Sequence, residues 1–279
     1  MTSVLLRNLG LFNPLLIPKT IYHNRDLLEQ LVKRNVVFRY RGSALGLVWS
    51  IVQPLVMLCV YTFVFSVVFK ARWGMELEDS RGAFAIVMFC GMAIYNIFSE
   101  SVNLSSMIIV GNPNYVKKVI FPLEILPISQ AFSSFLLGGI WFVLLFLGVV
   151  FVFGSVSWTM LLLPVILFPL LLLVIGLGLF VSSLTVYLRD ISYVVGVLLQ
   201  ILFFMTPIFY PLNAVPERFQ WVLRLNPLTM IIEEGRKVFL FGMLPDWRFF
   251  IVTLVCGIIV AQLGFAWFAK TRKGFADVL

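Results

Sequence analysis

Long apolar runs, most of them long enough to cross a bilayer, alternate along the chain with short segments that hold nearly all of its charge. The runs predict spans over residues 44–69, from about residue 83 onward, and over 128–153, 160–187, 193–209 and 249–269. Ahead of the first run the pattern changes period: Leu27, Leu28, Leu31 and Val32 fall on one helical face, and Arg25, Asp26, Glu29, Gln30, Lys33 and Arg34 on the other. Asn24 is placed to cap this helix, and Glu29 with Lys33 forms a favourable i,i+4 pair. A short helix with so much polar surface lies in the interface plane rather than crossing it. Asn13 and Pro14 interrupt the only earlier apolar run, so a loosely held start is expected rather than a signal peptide.

The spans themselves carry interruptions. Gln53-Pro54 should kink the first, and Asn96, Ser99, Glu100, Asn103 and Ser106 recur at spacings of three and four in the second, forming a polar stripe that cannot face lipid. Ser134 with Gly138, and Gly178 with Ser182, have the small-xxx-small spacing that lets membrane helices approach closely. Gln200, Thr206 and Pro207 interrupt the fifth span. Residues 211–247 are too polar to cross simply, yet hold two apolar stretches, 219–225 and 228–240, split by Asn226-Pro227; two short helices dipping back into the outer leaflet are expected.

Residues 111–129 read Gly-Asn-Pro-Asn-Tyr-Val-Lys-Lys-Val-Ile-Phe-Pro-Leu-Glu-Ile-Leu-Pro-Ile-Ser, and their three prolines and Lys117-Lys118 pair forbid passage through lipid. Pro113 and Pro122 bracket a segment that could form a short surface helix, with Tyr115, Val119 and Ile120 able to dock on something. Six spans with both termini inside put thirteen Lys and Arg in the inner segments and eight in the outer ones, five of the eight in the long loop and its edge. The positive-inside tendency therefore gives an N-in, C-in orientation.

With 61% hydrophobic residues, 12% charged and a mean hydropathy of +1.03, the composition is that of an all-α multi-span membrane protein. It divides into an N-terminal segment 1–43, a membrane domain 44–269 and a short tail 270–279. The net charge of +8 resides largely in the inner segments, which points to anionic membrane lipids rather than nucleic acid. Cys59, Cys90 and Cys256 lie in apolar runs without metal-ligand spacing, and the single histidine, His23, reads as a solvated surface residue. No glycine is followed by lysine, so the chain has no P-loop, and no nucleophile elbow or His-Glu-x-x-His appears. Glu100 is costly near a helix centre. It reads as a carboxylate hydrogen-bonded within the bundle beside Asn96, Asn103 and Ser106, since no basic residue in the spans completes a proton relay. Tyr61, Tyr95, Phe203, Phe204, Phe209 and Tyr210 could offer flat faces to sugar rings or form an interfacial belt.

The segment Phe-Pro-Leu-Glu-Ile-Leu-Pro after an Asn-Pro and a basic stretch, Tyr187-Leu188-Arg189-Asp190, and Leu225-Asn226-Pro227-Leu228-Thr229 occur in the order in which they stand in the membrane subunits of type-2 ABC exporters. Over nearly its full length the chain resembles the branch that exports O-antigen, capsule and teichoic-acid polysaccharides. The resemblance implies a homodimer in the bacterial inner membrane. It also implies two separate ATPase subunits that bind the ATP and Mg2+, with no cofactor on this chain. The substrate implied is a lipid-linked polysaccharide, and residues 111–127 become a coupling loop seated in the ATPase. Pro113, Tyr115, Val116, Lys117, Lys118, Phe121, Glu124, Arg189 and Asp190 are then expected to meet the ATPase, with Arg25, Glu29, Lys33 and Arg34 at the edge of the contact. The six aromatics above, with Asn96, Glu100, Thr206, Asn226, Glu233, Glu234 and Arg236, are expected along the channel and its outer gate; Glu233, Glu234 and Arg236 would hold two gate pairs by polar contacts in the dimer. A drug- or lipid-exporting relative, and a proton-coupled carrier needing no ATPase, remain as alternatives.

Overall fold

Apolar sequence becomes helix wherever it runs unbroken in the computed structural model, which describes residues 16–68, 81–117 and 121–279; no strand occurs among the described residues. Helices α1 (Leu16–His23) and α2 (Arg25–Arg39) precede the first span, a tight turn at Gly46–Val48 continuing as α3 (Trp49–Tyr61) and widening to a π-helix over Thr62–Val68. Then come α4 (Arg81–Ser106), α5 (Pro113–Lys117), α6 (Ile125–Phe153), α7 (Leu163–Tyr187) and α8 (Ile191–Met205). The chain ends with α9 (Glu217–Leu225), α10 (Pro227–Phe239), α11 (Trp247–Thr271) and α12 (Phe275–Val278).

Among the described residues five stretches are long and apolar enough to cross a membrane: Gly46–Val68, Gly82–Ser106, Ile125–Phe153, Trp158–Tyr187 and Trp247–Val278. The expected fifth span is shorter than its apolar run. Helix α8 has 15 residues, about 22 Å at the α-helical rise against a hydrocarbon core of about 30 Å. It stops at Met205 instead of running to residue 209 because Thr206 is extended (φ −99°, ψ 137°). The following Pro207 disfavours helical backbone at that position. The third span, in turn, begins at Ile125, three residues earlier than its apolar run suggested, because Pro127 falls in the first turn, where a proline's missing N–H is not needed.

Helix α4 is the centre of the bundle, packing against α6, α7, α8 and α10, and α7 with α11 forms the most extensive helix pair. Close approach here depends on glycine, since lipid supplies no hydrophobic force between helices. A Cβ on Gly264 would overlap the Gly176 carbonyl, and one on Gly257 would stand 2.9 Å from the Pro169 carbonyl. The two small-residue pairs read from the sequence serve α4 instead: Gly138 admits Ile97, and Gly178 lies against Ser105. The first span is the outlier, touching α4 and α6 yet leaving nearly all its surface unburied.

At the N-terminus Asn24 does not cap α2; its side-chain amide donates instead to the Thr20 carbonyl (2.9 Å), closing α1. Helix α2 shows the expected two faces, with Leu28 and Leu31 buried and Arg25, Asp26, Glu29, Gln30 and Lys33 exposed, but continues to Arg39. Residues 16–18, expected to be loosely held, begin a helix in which Ile17 is buried. At the other end the chain is no free tail, since Phe275 is fully buried.

Candidate functional site

Helix α2, helix α5, the connection 188–190 and α12 gather at one end of the bundle. The five-residue α5 follows Asn112, whose amide donates to the Ile108 carbonyl (2.8 Å) and so closes the turn out of α4. Tyr115 of α5 does dock, but on its own chain: its ring stacks on Phe121 at 4.4 Å and its hydroxyl accepts a hydrogen bond from Arg34 Nη1 (2.9 Å). The next residue, Asn35, donates to Ser129 of α6 (3.2 Å). Tyr115 and Phe121, expected to meet the ATPase, and Arg34, expected at the edge of that contact, are thus in contact with one another, and Arg34 with Tyr115 joins α2 to α5. Glu124 also turns inward, onto Arg272 (3.1 Å). Val116 is half-buried, and the outward residues of α5 are Pro113, Asn114 and Lys117. Lys118, Val119 and Ile120 lie outside the described residues. Arg189 and Asp190 are exposed, as are Arg25, Glu29 and Lys33; the Lys33 ammonium, 2.6 Å from Glu29, holds that carboxyl below the usual carboxylate range.

Halfway up from this end the polar stripe of α4 meets a counterpart. Asn96, Ser99, Glu100 and Asn103 are among the less buried positions of α4, whose large apolar residues from Phe84 to Val102 are packed inside the bundle while Leu104 is exposed. Glu100 forms an ion pair with Arg39 from the end of α2, and accepts from Ser134 Oγ (3.4 Å) and Asn96 Nδ2 (3.5 Å). The carboxylate is thus hydrogen-bonded within the bundle as expected, but with a different set of neighbours, because the Ser106 hydroxyl donates to the Asn103 backbone carbonyl instead. The basic partner missing from the spans comes from the interfacial helix, and no spacing in the sequence could reveal a pair 61 positions apart. Arg39, Tyr40, Ser50, Gln53, Asn96 and Glu100 border a cavity of about 10 Å³, room for about one water. A polar seam consequently runs between the second span and the first.

At the opposite end, the two short helices expected from Asn226-Pro227 are present as α9 and α10. The Asn226 carboxamide caps α10 by accepting from Leu228 N (3.0 Å) while its Nδ2 donates to Thr206 Oγ1 (3.1 Å), so two residues singled out separately are in contact. Arg236 is wholly buried: Nε donates to the Val87 carbonyl (3.2 Å), Nη1 to the Pro207 carbonyl (2.8 Å) and Glu233 (2.9 Å), and Nη2 to the Ile208 carbonyl (3.0 Å). Glu234 accepts from Lys237 (2.6 Å) and Asp246 N (2.7 Å). These polar contacts are internal to one chain and not between two copies. They exist because the non-helical residues 206–210 leave backbone carbonyls that must be satisfied.

The aromatics converge beside this latch. Tyr61, Phe203 and Phe209 lie 5.0–6.0 Å apart, Tyr95 stands 5.1 Å from Phe203, and Phe204 5.4 Å from it. Phe65, overlooked in the sequence though one turn from Tyr61, stacks on Phe209 at 4.4 Å. Tyr95 donates to the Leu199 carbonyl and Tyr210 to that of Phe204 (3.0 Å). Phe209 and Tyr95 are buried while Phe204 is exposed, so the cluster joins the first span to α8 and α4 rather than forming a simple belt.

This arrangement has relatives. The profile of the ABC-2 type transporter family matches residues 26–240, from the start of α2 through the end of α10. The chain is 28% identical over 262 residues to the O-antigen export system permease protein RfbA of Myxococcus xanthus, covering 93% of this chain and 97% of that protein. It is 26% identical over 260 residues to a Klebsiella pneumoniae protein of the same name, covering 91% and 95%. Against the polysialic acid transport protein KpsM of Escherichia coli it is 25% identical over 243 residues, covering 83% and 90%. The matched region takes in α2, both connections at the α5 end, the polar seam and the α9–α10 pair, and the chain belongs to the ABC-2 type transporter family as a multi-pass membrane protein.

Proposed function

We infer that this chain is the membrane subunit of an ATP-driven exporter moving a lipid-linked polysaccharide across the bacterial inner membrane, as a homodimer served by two separate ATPase subunits. One observation carries the reading: α4 buries its large apolar residues from Phe84 to Val102 in its own bundle while Asn96, Ser99, Glu100 and Asn103 stay partly open, the inverse of a lipid-facing span. The names of the relatives, O-antigen export permeases and a polysialic acid transport protein, support a polysaccharide as cargo. ATP and Mg2+ belong to the ATPase partner. On this reading α8 with residues 206–210 makes the fifth of six spans, both termini are cytoplasmic, and α9 with α10 re-enters from the outer side. The α5 end then faces the ATPase, with Asn114, Lys117, Arg189 and Asp190 outward. Co-purification with a separate ABC ATPase subunit, followed by ATP hydrolysis with and without lipid-linked glycan, tests the function. Stimulation by the glycan is expected; an assembled complex stimulated only by lipids or drugs would replace polysaccharide with that cargo.

The outer pair divides the labour of the gate. Helix α10 is held by Arg236 and by Asn226 with Thr206, whereas α9 exposes Phe219, Trp221 and Leu225 and packs chiefly on α10 and the turn before it. The part that opens is α9, swinging about Asn226-Pro227. An engineered disulfide joining α9 to the end of α8 should stop export while basal ATP hydrolysis continues. Equal export by the oxidised and reduced forms would place the gate elsewhere.

A further inference from the structure

After α11 the chain turns back under the bundle. Arg272 Nη1 donates to both carboxylate oxygens of Glu124, at 3.2 and 3.1 Å, immediately before α6 begins. Phe275, fully buried, stands edge-on to Tyr187 (6.0 Å) and Phe268 (5.5 Å). The Tyr187 hydroxyl donates to the Thr271 carbonyl (2.8 Å), and a Cβ on Gly274 would stand 2.7 Å from that hydroxyl oxygen, so a side chain there would displace the Tyr187 hydroxyl. Helix α12 touches α5. One short segment thereby grips both connections at this end: 111–124 through Glu124 and α5, and 187–190 through Tyr187. Stability alone does not explain the ion pair, because Arg272 is half-exposed and such pairs contribute little. What the pair fixes is position. Asn114 and Lys117, Arg189 and Asp190, and Lys273 and Asp277 are left exposed at the same end, a surface of mixed sign. Mixed charge suits a folded soluble protein better than an anionic lipid surface, which selects cations alone.

We propose that residues 272–278 are the third element of the ATPase seat, a brace that sets the separation of α5 from the 188–190 connection through Arg272–Glu124 and Phe275 while offering Lys273 and Asp277 to the ATPase. The proposal rests on the reading of this chain as partner to a separate ATPase. The test uses the assembled complex in native membranes, with a photo-cross-linking residue at Asn114, Ala276 or Asp277. Cross-links to the ATPase are expected from Asn114 and from Ala276 or Asp277. Glu124→Arg or Arg272→Glu alone should weaken the Ala276 cross-link and lower glycan-stimulated ATP hydrolysis several-fold per complex; Glu124→Arg with Arg272→Glu should restore both. Cross-linking from Asn114 but from neither Ala276 nor Asp277 overturns the brace and leaves the ATPase reading standing. Silence from all three positions in an assembled complex overturns both. Single variants that reduce only the amount of complex, with hydrolysis per complex unchanged, show a structural role and also overturn the proposal.

Discussion

Replacing Arg236 with methionine should unseat the outer helix pair. Methionine fills much of the same space but donates nothing, so the carbonyls of Val87, Pro207 and Ile208 and the Glu233 carboxylate lose a donor at one stroke. Removing one member of a buried charged network costs roughly 3–5 kcal/mol, a large fraction of the roughly 5–15 kcal/mol by which folded domains are stable. The expected result is a lower melting temperature in detergent, faster proteolysis between α8 and α11, and no export. Arg236→Lys should fall between, since one ammonium cannot spread its donors over carbonyls from both α4 and residues 207–208. Gly91→Val approaches the same failure from the other side, because its Cβ would stand 2.6 Å from Arg236 Nη2. Melting and export unchanged in Arg236→Met would show that residues 206–210 satisfy their carbonyls without the latch.

Making the seam apolar should have the opposite profile, a protein that folds and does not transport. In the double variant Asn96→Leu with Glu100→Leu, the Arg39 guanidinium, about one quarter exposed, can still reach water, so no charge is stranded in a dry interior. Assembly and basal ATP hydrolysis should persist. Export, measured as surface polysaccharide per complex, should fall by roughly tenfold or more, the equivalent of about 1.4 kcal/mol on the barrier to passage. Glu100→Gln, which keeps hydrogen-bonding capacity for Ser134 and Asn96, should lose less. Full export by the double leucine variant would remove the seam from the path.

How far these sites could be read from sequence differs from place to place for physical reasons. The five long apolar helices, the two faces of α2 and the break at Asn226-Pro227 were legible because period, length and proline geometry are local properties. The polar stripe on α4 was legible for the same reason. What it touches was not, since Arg39 reaches Glu100 only through the angle at which α2 meets the bundle. Arg236 shows the limit most clearly. Its neighbours Glu233, Glu234 and Lys237 give α10 the look of a helix with one wet face, and only tertiary packing decides that this face is closed over by α4 and residues 207–208. Tyr115 and Glu124 show the same limit. Nothing local in the sequence reveals that each already has a partner in its own chain, Arg34 for the one and Arg272 for the other.

The shortness of α8 bears on the lipid as much as on the protein. If that helix with residues 206–210 makes the fifth of six spans, its regular part falls about 8 Å short of the hydrocarbon thickness, and a deficit of this kind costs fractions of a kcal/mol per Å when lipid must compress to meet it. Its exposed side, with Tyr193, Val197, Ile201 and Phe204, is apolar to the end, so wherever lipid meets it acyl chains have apolar surface down to where the helix stops. The bilayer beside the outer helix pair is then drawn thin. A hydrated polymer leaving there crosses less hydrocarbon than anywhere else around the subunit, and the elastic stress of the membrane itself bears on the exit.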